Sequence, residues 1–170
     1  MIRCVGFIFI IIGATATGFG IAFSVQRQCI FYRQLIGVLE FMKAEIEFRL
    51  TPLCEIYAQI GEGEAHFLRG IFLRMKAAQL QSPGRPAGVT MRRILQNCGT
   101  NIPKEGKCIL MELFDVLGRQ DVMAQIRALD YAEKRTQMAL ETIEKEKTNR
   151  CRTYRTIGIC AGLALAVILV

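Results

Sequence analysis

Residues 35–52 read Leu35-Ile36-Gly37-Val38-Leu39-Glu40-Phe41-Met42-Lys43-Ala44-Glu45-Ile46-Glu47-Phe48-Arg49-Leu50-Thr51-Pro52. Leu35, Leu39, Met42, Ile46 and Leu50 recur at intervals of four, three, four and four, which puts them on one face of an α-helix. Lys43, Glu45, Glu47 and Arg49 then belong to the solvated side. The spacing predicts one long helix that ends near Leu50. The ring of Pro52 disfavours helical backbone at Thr51, so Thr51 reads as an N-cap and Pro52 as the first residue of the next helix.

The same period continues outward from this stretch, and no segment shows the two-residue alternation of a strand. Leu53, Ile56, Tyr57 and Ile60 form the apolar face of a short helix closed by Gly61-Glu62-Gly63. A helix over about 64–80 turns Phe67, Leu68, Ile71, Phe72 and Met75 inward, and Ser82-Pro83-Gly84-Arg85-Pro86-Ala87-Gly88 breaks it. Val89 to Cys98 uses Met91, Ile94, Leu95 and Cys98; Pro103 opens a helix carrying Ile109, Leu110, Leu113, Phe114 and Leu117. Gly118 reads as the residue just past that helix and Asp121 as the N-cap of the next. From Asp121 no glycine or proline occurs before Gly158, so a helix of more than thirty residues is expected. Its inward set is Val122, Ile126, Leu129, Ala132 or Glu133, Leu140 and Ile143, and Glu141 stands four before Lys145, the favourable order for an ion pair.

The ends differ from this middle. Cys4 to Val25 and Thr156 to Val170 contain no charged residue. Twenty-two helical residues reach about 33 Å, enough for a hydrocarbon core about 30 Å thick, whereas the 15 of the second segment reach about 22 Å and need local thinning and snorkelling by Arg152 and Arg155. All 15 acidic and 21 of the 22 basic residues lie in 26–155, a formal charge of +6, and basic residues crowd the inner flanks of both segments. By the positive-inside rule the middle faces the cytoplasm and both termini lie outside. The expected organisation is a transmembrane helix over 1–25, a cytoplasmic bundle over 26–155 and a short second span over 156–170. The fold class is all-α: a membrane-tethered antiparallel bundle of about five or six cytoplasmic helices, the first and last continuous with the spans. Ala14, Gly18 and Ala22, and likewise Gly158, Gly162 and Ala166, recur every four residues, a spacing that lets membrane helices pack closely in one chain or between copies. Arg3, the apolar run and Ala14-Thr15-Ala16 also imitate a cleavable signal, which leaves open an anchored helical binding or regulatory protein.

Chemistry-bearing patterns are missing. There is no phosphate-binding loop, no His-Glu-x-x-His and no Gly-x-Ser-x-Gly, so no enzyme activity and no cofactor is expected. His66 is the single histidine, and the seven cysteines form no Cys-x-x-Cys pair, which argues against zinc and for reduced thiols. Basic residues recur in every helix without interleaved aromatics, so lipid is a better partner for the charge than nucleic acid.

The arrangement of Thr17-Gly18-Phe19, Arg33-Gln34-Leu35, Glu45-Ile46-Glu47-Phe48-Arg49-Leu50-Thr51-Pro52-Leu53 and Leu117-Gly118-Arg119-Gln120-Asp121, with an apolar C-terminus, resembles the stage III sporulation protein AB family. Its most specific part is the Glu-Ile-x-Phe-x-x-Thr-Pro-Leu stretch with a Leu-Gly-x-x-Asp turn about 65 residues on. The resemblance implies a mother-cell membrane component of the channel built around the forespore, similar to the inner-membrane platform protein of type II secretion and type IV pilus machines. It also implies contact with a secretion ATPase resembling stage III sporulation protein AA. It carries over no catalytic residue; Glu45, Thr51, Pro52, Leu117, Gly118 and Asp121 are its motif positions.

Overall fold

The computed structural model describes residues 24–98, 102–118 and 121–169, with side chains described up to residue 146. Helix α1 covers residues 24–44 and passes into a π-helical turn, Glu45–Arg49. There follow α2 (Leu53–Glu62), α3 (His66–Gln81), α4 (Ala87–Asn97), α5 (Lys104–Val116) and α6 (Val122–Leu169). The described residues are all helix and connection, with no strand among them. The chain divides into two units, Gln28–Leu140 and the two terminal stretches Met1–Arg27 and Glu141–Val170.

The core of the larger unit is made by the faces the periodicity selects. Leu35, Leu39, Met42, Ile56, Leu68, Ile71, Met75, Met91 and Leu110 are buried, as are Leu129 and Ala132 of α6. At its centre Tyr57 of α2, Phe72 of α3 and Phe114 of α5 form a triangle with ring centroids 5.8–6.0 Å apart. Burying each such ring stabilises by about 1.5–3 kcal/mol, and tilted aromatic contact adds to it. Two glycines set close approaches: a Cβ on Gly61 would lie 2.6 Å from Leu73 Cδ2, and one on Gly106 2.5 Å from Phe31 Cε1. Across the surface, Lys43 bonds Asp130 at 2.5 Å, and Arg135 of α6 bridges Glu105 and Glu112 of α5.

Several expectations shift. Pro52 and Pro103 are the N-caps of α2 and α5, with ψ of 138° and 144°, so each helix begins one residue after its proline. Thr51 is therefore outside the cap. α2 runs through Gly61, which is buried inside it, to Glu62. Leu50 and Val122, expected inward, are exposed, and Glu45, expected in solvent, is buried.

The long last helix is 48 residues, and its Glu141–Lys145 pair stands at 3.7 Å. The expected first span, with Ala14, Gly18 and Ala22, lies outside the described residues but for its last two positions. Gly158, Gly162 and Ala166 are helical in backbone, and their side chains lie outside those described. Among the described residues no helix is long and apolar enough to cross a membrane.

Candidate functional site

Glu45, Thr51 and Pro52 meet at the corner between α1 and α2, Gly118 packs against the neighbouring Leu53, and Asp121 lies apart at the start of α6. Glu45 stands three residues after Met42 and seven after Val38, at the edge of the buried face of α1, and the π turn that begins there widens the last turn by one residue and carries Leu50 out of the apolar face. Glu45 is only 4 % exposed. Its carboxylate accepts hydrogen bonds from Thr51 Oγ1 at 2.6 Å and Arg49 Nη1 at 2.9 Å. Its backbone oxygen accepts the N–H of Leu50 and, at 3.1 Å, that of Thr51. One residue thus ends the helix with both its main chain and its side chain. Burying a carboxylate is costly unless it is hydrogen-bonded in this way.

The same closure forces Leu50 into the left-handed region, at φ 52° and ψ 33°, the only non-glycine residue with positive φ among the described residues. Such a conformation costs an L-residue about 1–2 kcal/mol. Leu50 is 69 % exposed and Phe48 78 % exposed, so the corner holds two large apolar residues in water.

The second half of the motif lies against the first. Leu117, fully buried, caps α5; Gly118 follows at φ +78°, and a Cβ there would meet Leu53 Cδ1 at 3.3 Å. Asp121 precedes α6, and its backbone oxygen accepts the N–H groups of Ala124 and Gln125 at 3.1 Å. Glu45, Thr51 and Pro52 are therefore one locked turn, and Leu117-Gly118 is the turn packed behind Leu53. Among the described residues no three or more His, Cys, Asp or Glu side chains are grouped to hold a metal ion. Cys29, Cys54, Cys98 and Cys108 are free thiols.

Compared over its whole length, the chain matches the family model of stage III sporulation protein AB at residues 3–170. The chain belongs to the stage III sporulation protein AB family. A relative of that name from Bacillus subtilis (strain 168) is 24% identical over 171 residues, covering 99% of each chain. No solved structure matches. Membership supports a role in sporulation.

One feature of this family member escaped the sequence reading. Between Glu64 and Glu105 there is no acidic residue, while Arg69, Arg74, Lys76, Arg85, Arg92, Arg93 and Lys104 fall within that interval. Basic residues also lie on α1, α5 and α6, but α3 and α4 carry no acidic residue of their own. Arg92 pairs with Asp115 of α5, and Lys76 stands 4.0 Å from Glu62. A groove of about 280 Å³ between α3 and α4 is lined by Arg74, Arg85 and Arg93, with Ala78, Val89 and Ile94 among its apolar residues. Counting carboxylate-free length along the chain, rather than charge per helix, is the signal that finds it.

Proposed function

We propose that the chain is a non-enzymatic membrane platform or adaptor of the sporulation channel, tethered through 1–25 and 156–170, with the bundle of 26–155 facing the cytoplasm. Both termini lie outside the mother-cell membrane around the forespore. The bundle contacts a secretion-type ATPase similar to stage III sporulation protein AA. The observation that carries this reading is the corner: motif residues spend their hydrogen bonds on a fixed turn that exposes Phe48 and Leu50, an arrangement suited to contact and not to chemistry. The continuity of α6 from Val122 to Leu169 supports transmission of force or orientation between the bundle and its apolar end. Packing of the two spans through Ala14, Gly18, Ala22, Gly158, Gly162 and Ala166, within one chain or between copies in a homo-oligomer, belongs to the same proposal. Purification of the full chain from membranes of sporulating cells tests it. Recovery of a cytoplasmic ATPase supports the adaptor; recovery of only a soluble extracellular protein contradicts it.

A further inference from the structure

We infer that the groove between α3 and α4 is a docking site for an acidic, apolar-faced segment of a protein partner. Three observations converge. First, Arg74, Arg85 and Arg93 line one concavity, and none of the groove's lining residues is acidic. Arg85 and Arg93 have no ion-pair partner among the described residues, in contrast to Arg92, which Asp115 neutralises. Second, the charges are strung out. Arg74 Nη1 reaches Cys98 Sγ at 3.8 Å, beside the last turn of α4, while Arg85 stands two residues before α4 begins. The eleven residues of α4 put the backbone of Arg85 about 15 Å from that of Cys98, with Arg93 between. Third, the lining between the charges includes Ala78, Ile94 and Val89, the last 56 % exposed, so the groove offers apolar contact as well as charge.

A compact anion such as phosphate asks for donors that converge on one point, whereas these three are anchored on two elements and at intervals along α4. A bilayer presents charge on a broad flat surface and does not enter a concavity between two helices. A segment carrying several carboxylates one helical turn apart, with small apolar side chains between them, meets both the row and the floor. Arginine is the side chain suited to hold carboxylates in this way, because its planar fork takes both oxygens.

This inference rests on the adaptor reading, and one experiment separates the two. A photo-crosslinking amino acid is placed at Val89, in the groove, or at Phe48, at the corner, in the full chain expressed in sporulating cells, and adducts are mapped by mass spectrometry. The expected result is a protein adduct at Val89 on a segment with at least two Asp or Glu residues, reduced roughly tenfold by Arg85→Glu with Arg93→Glu, while the Phe48 adduct persists. Arg69→Glu, which reverses a charge outside the groove, leaves the Val89 adduct intact. A Val89 adduct on phospholipid, on a segment without acids or on a second copy of the chain overturns the groove assignment, as does an adduct that survives charge reversal. A protein adduct at Phe48 with none at Val89 overturns the groove alone. No protein adduct at either position overturns the adaptor reading with it.

Discussion

Glu45 shows how a single side chain decides a local fold against the periodicity around it. Its carboxylate and carbonyl take up hydrogen bonds from Arg49, Leu50 and Thr51 that would otherwise end in solvent. Thr51→Val leaves one carboxylate oxygen buried without its donor, and we expect a loss of roughly 1–3 kcal/mol in denaturant unfolding, with Thr51→Ser close to wild type. Tyr57 is the opposite case: its hydroxyl is buried with no hydrogen-bond partner among the described residues. Burial, with Cys54 adding to it, pushes the phenol well above its ordinary 10.0. The folded state therefore favours the neutral form. Its contribution to stability is complete below pH 10.0 and is lost as pH rises toward the folded value. Tyr57→Phe removes the unsatisfied group without changing the shape of the aromatic triangle. It should raise stability by roughly 1–3 kcal/mol near neutrality and flatten the alkaline loss, both measurable by urea unfolding across pH.

At the scale of elements, the apolar period located every helix, and the boundaries of α3 and α4 fall within two residues of those expected. Glycine and proline punctuation made this possible, because each breaker acts on the backbone directly. The π turn was not legible, since spacing of apolar residues carries no record of an inserted residue until Leu50 appears on an unexpected face. The candidate site was half legible for the same reason: its motif residues were visible, but the carboxylate that ties Thr51 to α1 looked like a solvated charge. Between elements, Gly118 joins α5 to the turn behind Leu53 at a positive φ. Gly118→Ala should cost about 1–2 kcal/mol in thermal or denaturant unfolding, and Gly118→Asn less, because Asn tolerates the left-handed region. The unbroken backbone of α6 carries its own prediction. A flexible glycine linker after Arg150 should abolish channel assembly while leaving the bundle's unfolding midpoint unchanged; normal sporulation with the linker would remove the mechanical role.

For the whole molecule, membership of a sporulation family stands beside a helical bundle with two surface features, an exposed apolar corner at Phe48 and Leu50 and a groove lined by Arg74, Arg85 and Arg93. On the proposed topology the exposed thiol of Cys108 lies on the cytoplasmic side. A membrane-impermeant maleimide should leave it unlabelled in intact cells and label it after permeabilisation; labelling from outside would reverse the topology. The most direct measurement is reciprocal co-purification of the full chain and the cytoplasmic ATPase from solubilised membranes of sporulating cells, with Phe48→Glu and Leu50→Glu combined as the comparison. The account predicts that each protein retains the other and that the double substitution depletes the ATPase at least about tenfold; equal recovery with and without the substitutions, or no ATPase at all, would contradict it.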